Sequence, residues 1–182
     1  MKQGETYQKG ESKTIKLALD TNIISSMLNG EETAITIAKT LNAYNQKGHL
    51  LICGLVYAEL LIYYPQQKVE EFLRRTNIAI DFSLSQEIWI TASSAWEKYL
   101  IQRKKHEGKL YCPYCGHENA FICSFCGQPL KEPKNLLADF IVGAHALHKA
   151  DMLFSLDKRG KFYRRYFIGL KILTIGESGV SC

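Results

Sequence analysis

The sequence has no long apolar run. Its most apolar stretch, Leu50 to Tyr64, contains Glu59 and is shorter than the about 20 residues a membrane-spanning helix needs. The opening residues, MKQGETYQKGESK, hold no apolar segment, so no secretory leader is expected. Internal repeats and low-complexity segments are absent too, which leaves out solenoids and repeat arrays. Neither sign of charge dominates: Lys plus Arg number 23 against 18 Asp plus Glu, a net +5. That balance permits a polyanionic partner without demanding one. What is present is an apolar fraction of 46% in 182 residues, enough for one domain with a sizeable core and a small appendage. The expectation is a soluble, cytoplasmic protein with no membrane partner.

Cysteine is unevenly spread. Four of the six lie between Cys112 and Cys126 as two Cys-x-x-Cys pairs. In a chain without an export signal such clustering points to metal rather than disulfides. Cys53 falls in an apolar strand pattern and reads as buried, and Cys182 as a free terminal thiol.

Apolar periodicity orders the chain. Residues 1–14 read as a flexible tail. Ile15 to Leu19 reads as a strand that runs into Asp20-Thr21-Asn22 and a helix start. A helix is expected over Glu31 to Gln46, closed by Gly48, then a buried strand over His49 to Cys53. Helices follow over Leu55 to Tyr63 and from Pro65 to Arg75. Ile78 to Phe82 alternates like a strand, and Ser83 can cap a long helix ending near Lys105. Between Gly108 and Lys134 the aliphatic core residues nearly vanish. Helical periodicity returns over Asn135 to Lys149, with strands at Met152 to Leu156 and Leu170 to Ile175. Strands alternating with helices predict an α/β fold, a parallel sheet flanked by helices. Its domain would comprise 15–107 and 135–182, with residues 108–134 as an inserted module.

Four acids stand out. Asp20 sits where a strand's carboxyl end meets a helix, the edge at which open α/β sheets bind ligands. It is either a helix cap or a metal ligand. Glu59 lies among apolar residues, where a carboxylate is costly unless paired, metal-bound or able to reach water. Asp139 borders the apolar arc of its helix, and Gly143 and Ala146 beside it predict a low surface with room for a metal ion or phosphate. The alternative for Asp139 is a first-turn acid favoured by the helix dipole. Asp157 follows a strand, like Asp20, and Ser155 points to its side of that strand. Four acids converging alone would repel. Convergence makes sense around a hard divalent cation such as Mg²⁺ or Mn²⁺. Asp81 and Asp151 read as solvent-side acids, and His145 and His148 as structural.

Asp20-Thr21-Asn22 after a strand, Glu59 in a helix, Asp139 in Ala-Asp-Phe-Ile-Val-Gly-Ala-His-Ala-Leu and Asp157 in Leu-Phe-Ser-Leu-Asp-Lys-Arg-Gly-Lys-Phe-Tyr resemble the PIN-domain family of metal-dependent ribonucleases. The resemblance covers nearly all of the chain outside the tail and the insertion. It implies a Mg²⁺ or Mn²⁺ site built from Asp20, Glu59, Asp139 and Asp157, supported by the polar residues Thr21, Asn22 and Ser155. It implies hydrolysis of RNA, with an activated water attacking phosphorus in line with the leaving 3′ oxygen. Locally the sequence is similar to toxin ribonucleases of toxin–antitoxin pairs. It departs from them in the cysteine insertion and the longer polar start, a combination that resembles some ribosomal-RNA-processing nucleases. The implied partners are RNA, an antitoxin protein or a ribosomal particle, and a second copy of the chain. A binding module that keeps the fold but does not cut is the reading from another class.

Cys112, Cys115, Cys123 and Cys126 form two knuckles, each closed by glycine, and the module resembles short zinc ribbons. Four thiolates suit structural, tetrahedral Zn²⁺ with no open position, and a segment with so little core needs metal to fold. A reversible redox pair is the alternative. Tyr114, Phe121 and Phe125 are candidates to stack on bases or to pack on the parent domain. Lys158, Arg159, Lys161, Arg164 and Arg165 interleave with Phe162, Tyr163, Tyr166 and Phe167. They read as a mixture of phosphate grips and a solvated face over core aromatics.

Overall fold

A computed structural model describes residues 14–105, 110–111, 118–119, 121–122, 125–127, 129–130, 137–156, 161–176 and 179–181. Its elements are β1 (Ile15–Leu19), α1 (Thr21–Asn29), α2 (Ala34–Asn45), β2 (Gly48–Cys53), α3 (Gly54–Tyr63), α4 (Gln66–Arg75), β3 (Ile78–Asp81) and α5 (Gln86–Lys105). The short strands β4 (Leu110–Tyr111), β5 (Glu118–Asn119), β6 (Phe121–Ile122) and β7 (Pro129–Leu130) follow. Then come α6 (Leu137–Lys149), β8 (Met152–Phe154), α7 (Lys161–Tyr166), β9 (Lys171–Gly176) and β10 (Gly179–Ser181). The main sheet has the order β10-β9-β8-β1-β2-β3. Its five strands from β9 to β3 are parallel, in registers such as Leu17 with Leu50 and Leu17 with Met152.

The α/β reading therefore holds, with one addition. β10 pairs antiparallel with β9 as an edge strand. The sequence Gly176-Glu177-Ser178-Gly179 carries the turn signal for this hairpin, but a three-residue strand offers no periodicity to read.

Burial explains the parallel sheet. Leu17, Ala18 and Leu19 are consecutive and all buried, as are Leu50 to Cys53. Strands covered on both faces read as continuous apolar runs rather than alternations. The helices that cover them carry spaced apolar residues, such as Val69 and Leu73 in α4. Several expected boundaries move. Gly48 begins β2, opposite Ile15, instead of closing α2. Ser83 does not cap α5: its backbone N–H and hydroxyl both donate to Asp81, and the Ser85 carbonyl accepts from Ile88 and Trp89. No helix of the described residues is long and apolar enough to cross a membrane.

Asp81 keeps a solvent-facing side but also has a buried partner. It accepts from Nε2 of His145, which is 1% exposed, at 3.1 Å. Burial pushes Asp81 up, but the side-chain and backbone hydrogen bonds from Ser83 and then His145 outweigh it, leaving its carboxyl below the usual range. Burial holds the His145 imidazole below its ordinary 6.5, against the pull of Asp81. The unfolded chain then binds more protons than the folded one just below pH 6.5, so stability falls as pH drops through that window. Urea unfolding at pH 7.5 and 5.5 is expected to show this loss, and His145→Asn to show less of it. His148 donates to or accepts from Thr91 at 2.8 Å, so both histidines have structural partners. Asp151 is likewise tied in, accepting from the Lys16 backbone at 2.9 Å.

Candidate active site

The sheet grows from β1 toward β2 and β3 on one side, then restarts with β8 and β9 on the other. Between β1 and β8 the order reverses. In open α/β sheets the crevice beyond the strands' carboxyl ends at such a point is where ligands bind. Asp20 follows β1 there and Ser155 follows β8.

Asp20 caps α1. Its Oδ1 accepts from the Thr21 N–H at 2.8 Å. Its Oδ2 accepts from the Ser155 hydroxyl at 2.7 Å, from Nδ2 of Asn22 at 3.0 Å and from the Tyr163 hydroxyl at 3.5 Å. Asn22 also accepts from the Leu156 N–H at 2.9 Å, locking the end of β8 to the start of α1. The cap does not exclude a ligand role, because each carboxylate oxygen carries two lone pairs and Oδ1 has one donor among the described residues. Thr21 meets a second acid, its hydroxyl donating to Oε2 of Glu59 on α3.

Burial is the main influence on Asp20 and raises its carboxyl above 3.8. The bonds from Ser155 and Thr21 oppose this, the charge of Glu59 adds to it, and Asn22 opposes it. A raised folded-state value means that stability falls as pH climbs from 3.8 through that value, so ionised Asp20 is held at a cost to the fold. Asp139 is half-buried in the first turn of α6, a helix that packs against α3, β1, β2 and β8. The structure thus brings Asp20, Glu59, Thr21, Asn22 and Ser155 together directly. Asp157 lies outside the described residues.

The surface beside Asp139 is not low. A Cβ built on Gly143 lies 2.3 Å from the Phe167 ring, which occupies the space the sequence left open. All residues from Phe140 to Ala146 are buried, so α6 has no solvent-facing groove along this stretch. Gly143→Ala gains up to about 1 kcal/mol of helix propensity but overpacks the ring contact, at about 1–3 kcal/mol. A net loss in chemical denaturation is expected.

Sequence reading places Tyr163 among core aromatics, as it is, but misses its contact with Asp20 and the helix that carries it. The spacing 162, 163, 166, 167 is helical, and that was the available signal. Tyr163 and Phe167 are buried, while Arg164 and Arg165 are exposed. Arg165 lies 5.8 Å from the Tyr166 ring centroid, and Arg164 reaches the Ile172 carbonyl at 3.5 Å. The basic–aromatic mixture therefore separates by face. Lys161 begins α7; Lys158 and Arg159 lie outside the described residues.

The donor set suits a hard cation in its chemistry: oxygens only, with two adjoining carboxylates whose mutual repulsion a divalent ion relieves. Among the described residues no group of three or more His, Cys, Asp or Glu is arranged to hold a metal. Of the four clustered cysteines only Cys126 is described, exposed and in a turn; Cys112, Cys115 and Cys123 lie outside the described residues.

No curated protein sequence matches the chain significantly. Among solved structures it is similar to VapBC2 from Rickettsia felis bound to a DNA fragment from their promoter, at 15% identity and TM-score 0.51, covering 88% of this chain and 98% of that one. It is also similar to VapBC-1 from nontypeable Haemophilus influenzae, at 17% identity and TM-score 0.52, covering 87% and 96%. These identities speak for the fold. The PIN-domain pattern matches residues 17–168. PIN domains are generally nucleases that use divalent metals such as Mg²⁺ or Mn²⁺. The match begins in β1, runs through the carboxylate crossing at the switch point and ends just past α7, and on that span the chain belongs to the PIN-domain family.

Proposed function

We propose that the protein is a metal-dependent endoribonuclease. The observation that carries this reading is Thr21, which ties the carboxylate ending β1 to Glu59 on α3 at the sheet's switch point. In this reading Asp20, Glu59, Asp139 and Asp157 hold Mg²⁺ or Mn²⁺. The ion, when bound, polarises phosphoryl oxygen and lowers the pKa of water. Ser155 and Asn22 keep Asp20 aimed, and Thr21 does so for Glu59. Arg164 and Arg165, with Lys158, Arg159 and Lys161, hold backbone phosphates. The test is a labelled RNA and a matched DNA strand incubated with purified protein in Mn²⁺ or in EDTA. Internal cuts in RNA that need the ion are expected; cutting that persists in EDTA, or cutting of DNA alone, contradicts the reading.

A second reading, the toxin of a toxin–antitoxin pair, draws on the VapBC likeness. Its antitoxin would cover the acids, so co-expression with a small DNA-binding neighbour is expected to suppress cleavage. Co-sedimentation with ribosomal particles would favour RNA processing instead.

The insertion we assign as a structural zinc ribbon in the cytoplasmic protein. Each Cys-x-x-Cys pair falls in sequence between the partners of a two-stranded antiparallel ladder, β4 with β5 and β6 with β7. Gly127, after Cys126, has φ +69°, the left-handed turn that a knuckle needs. Phe125 is 98% exposed, available to stack on a base. One zinc per chain by elemental analysis, lost in Cys115→Ser, is the expected result; a metal-free wild type, folded and active, contradicts it.

A further inference from the structure

Resting on the metal-site reading above, we propose that Tyr163 is a positioning residue of the candidate site, its phenol backing Asp20 and its helix tying that acid to α6. The two oxygens of Asp20 are unequal. Oδ1 takes the Thr21 N–H, whereas Oδ2 faces three donors: Ser155, Asn22 and the more distant Tyr163 hydroxyl. Three donors around one carboxylate oxygen fix its orientation and, among the described residues, leave Oδ1 as the oxygen with a lone pair to offer.

The geometry behind Tyr163 makes this a mechanical link. Its residue is 4% exposed and its ring packs 5.2 Å from Phe162 and 6.2 Å from Phe167. Phe167, one turn on, fills the space over Gly143 of α6, four residues after Asp139. Phe162 packs on Phe140, the residue next to Asp139, at 5.0 Å in an edge-to-face contact. One six-residue helix thus touches Asp20 by its phenol and the Asp139 turn by its rings. A shift of α7 moves both acids' surroundings together.

Tyr163→Phe keeps the ring and removes the hydroxyl. The first measurement is a double-mutant cycle in metal-free protein: the urea midpoint is expected to fall further in the wild-type background than in Asp20→Ala. The second is Mn²⁺ binding followed by the electron-spin signal of the free ion. The dissociation constant is expected to rise about 3- to 10-fold, the range one hydrogen bond supports. Tyr163→Leu is expected to lower the midpoint in both backgrounds, because it removes ring packing. Equal midpoint drops for Tyr163→Phe in both backgrounds, or an unchanged Mn²⁺ dissociation constant, would overturn the positioning role. Asp20→Asn run in parallel separates the two readings. If it binds Mn²⁺ as wild type does, the metal-site reading fails, and the metal-free cycle still decides whether the phenol backs Asp20.

Discussion

Asp20→Asn is expected to cut RNA at no more than about one-thousandth of the wild-type rate while remaining folded. The size follows from what a carboxylate at this place does in a metal-dependent phosphodiesterase. Losing several kcal/mol of charge stabilisation, about 4 kcal/mol, corresponds to about a thousandfold in rate. The amide keeps the side chain's shape and one accepting oxygen for Ser155 and Asn22, so the link to β8 stays, while its NH2 faces the Thr21 N–H and that cap bond is lost. Stability is expected to change little, because the substitution also removes a charge that burial and Glu59 disfavour. Single-turnover cleavage of a labelled RNA with a parallel urea melt checks both halves. A rate loss accompanied by unfolding would mean that Asp20 acts as a cap and nothing more.

Phe140→Ala is expected to lower stability by about 3–5 kcal/mol, the usual cost of emptying a buried aromatic position. Phe140 is fully buried. Its ring lies 5.0 Å from Phe162, 5.6 Å from Tyr99, 5.7 Å from Tyr166 and 6.5 Å from Phe167. Tilted and edge-to-face pairs of this kind add to the burial term. Because three of those partners belong to α7 or its end, the loss concentrates where α6, α5 and α7 meet. Metal binding is therefore expected to weaken in Phe140→Ala even at temperatures where the variant is folded. Urea unfolding and Mn²⁺ titration on one sample check this. A midpoint shift with intact Mn²⁺ affinity would separate the aromatic cluster from the carboxylates.

These two residues show what a sequence makes legible. Asp20, Thr21 and Asn22 were readable because a short apolar strand ending in three capping residues is a local pattern. Ser155 was readable for the same reason, at the end of the matching strand. Their meeting across 135 residues follows from parallel strands sharing one carboxyl edge. Tyr163 and Asp20 are 143 residues apart, and nothing local marks that contact. Arginines beside the aromatics masked a helix of six residues, too short for a clear period. Gly143 was read as open surface because a sequence cannot state what fills the space beside a missing side chain. Asp81 reads as a solvent-side acid, and nothing local shows that its other side meets buried His145, 64 residues away.

The central claim is that acids from separate segments work as one RNA-cutting site. Its most direct test is cleavage of total cellular RNA in Mn²⁺ or Mg²⁺ by the wild type beside Asp20→Asn and Asp139→Asn, with the new ends mapped. Defined cuts that require the ion and vanish in both variants are predicted, and their positions would identify the substrate. Identical patterns from all three proteins, or no cutting at any metal concentration, would contradict the claim, and the reading of a PIN fold that binds RNA without cutting it would then lead.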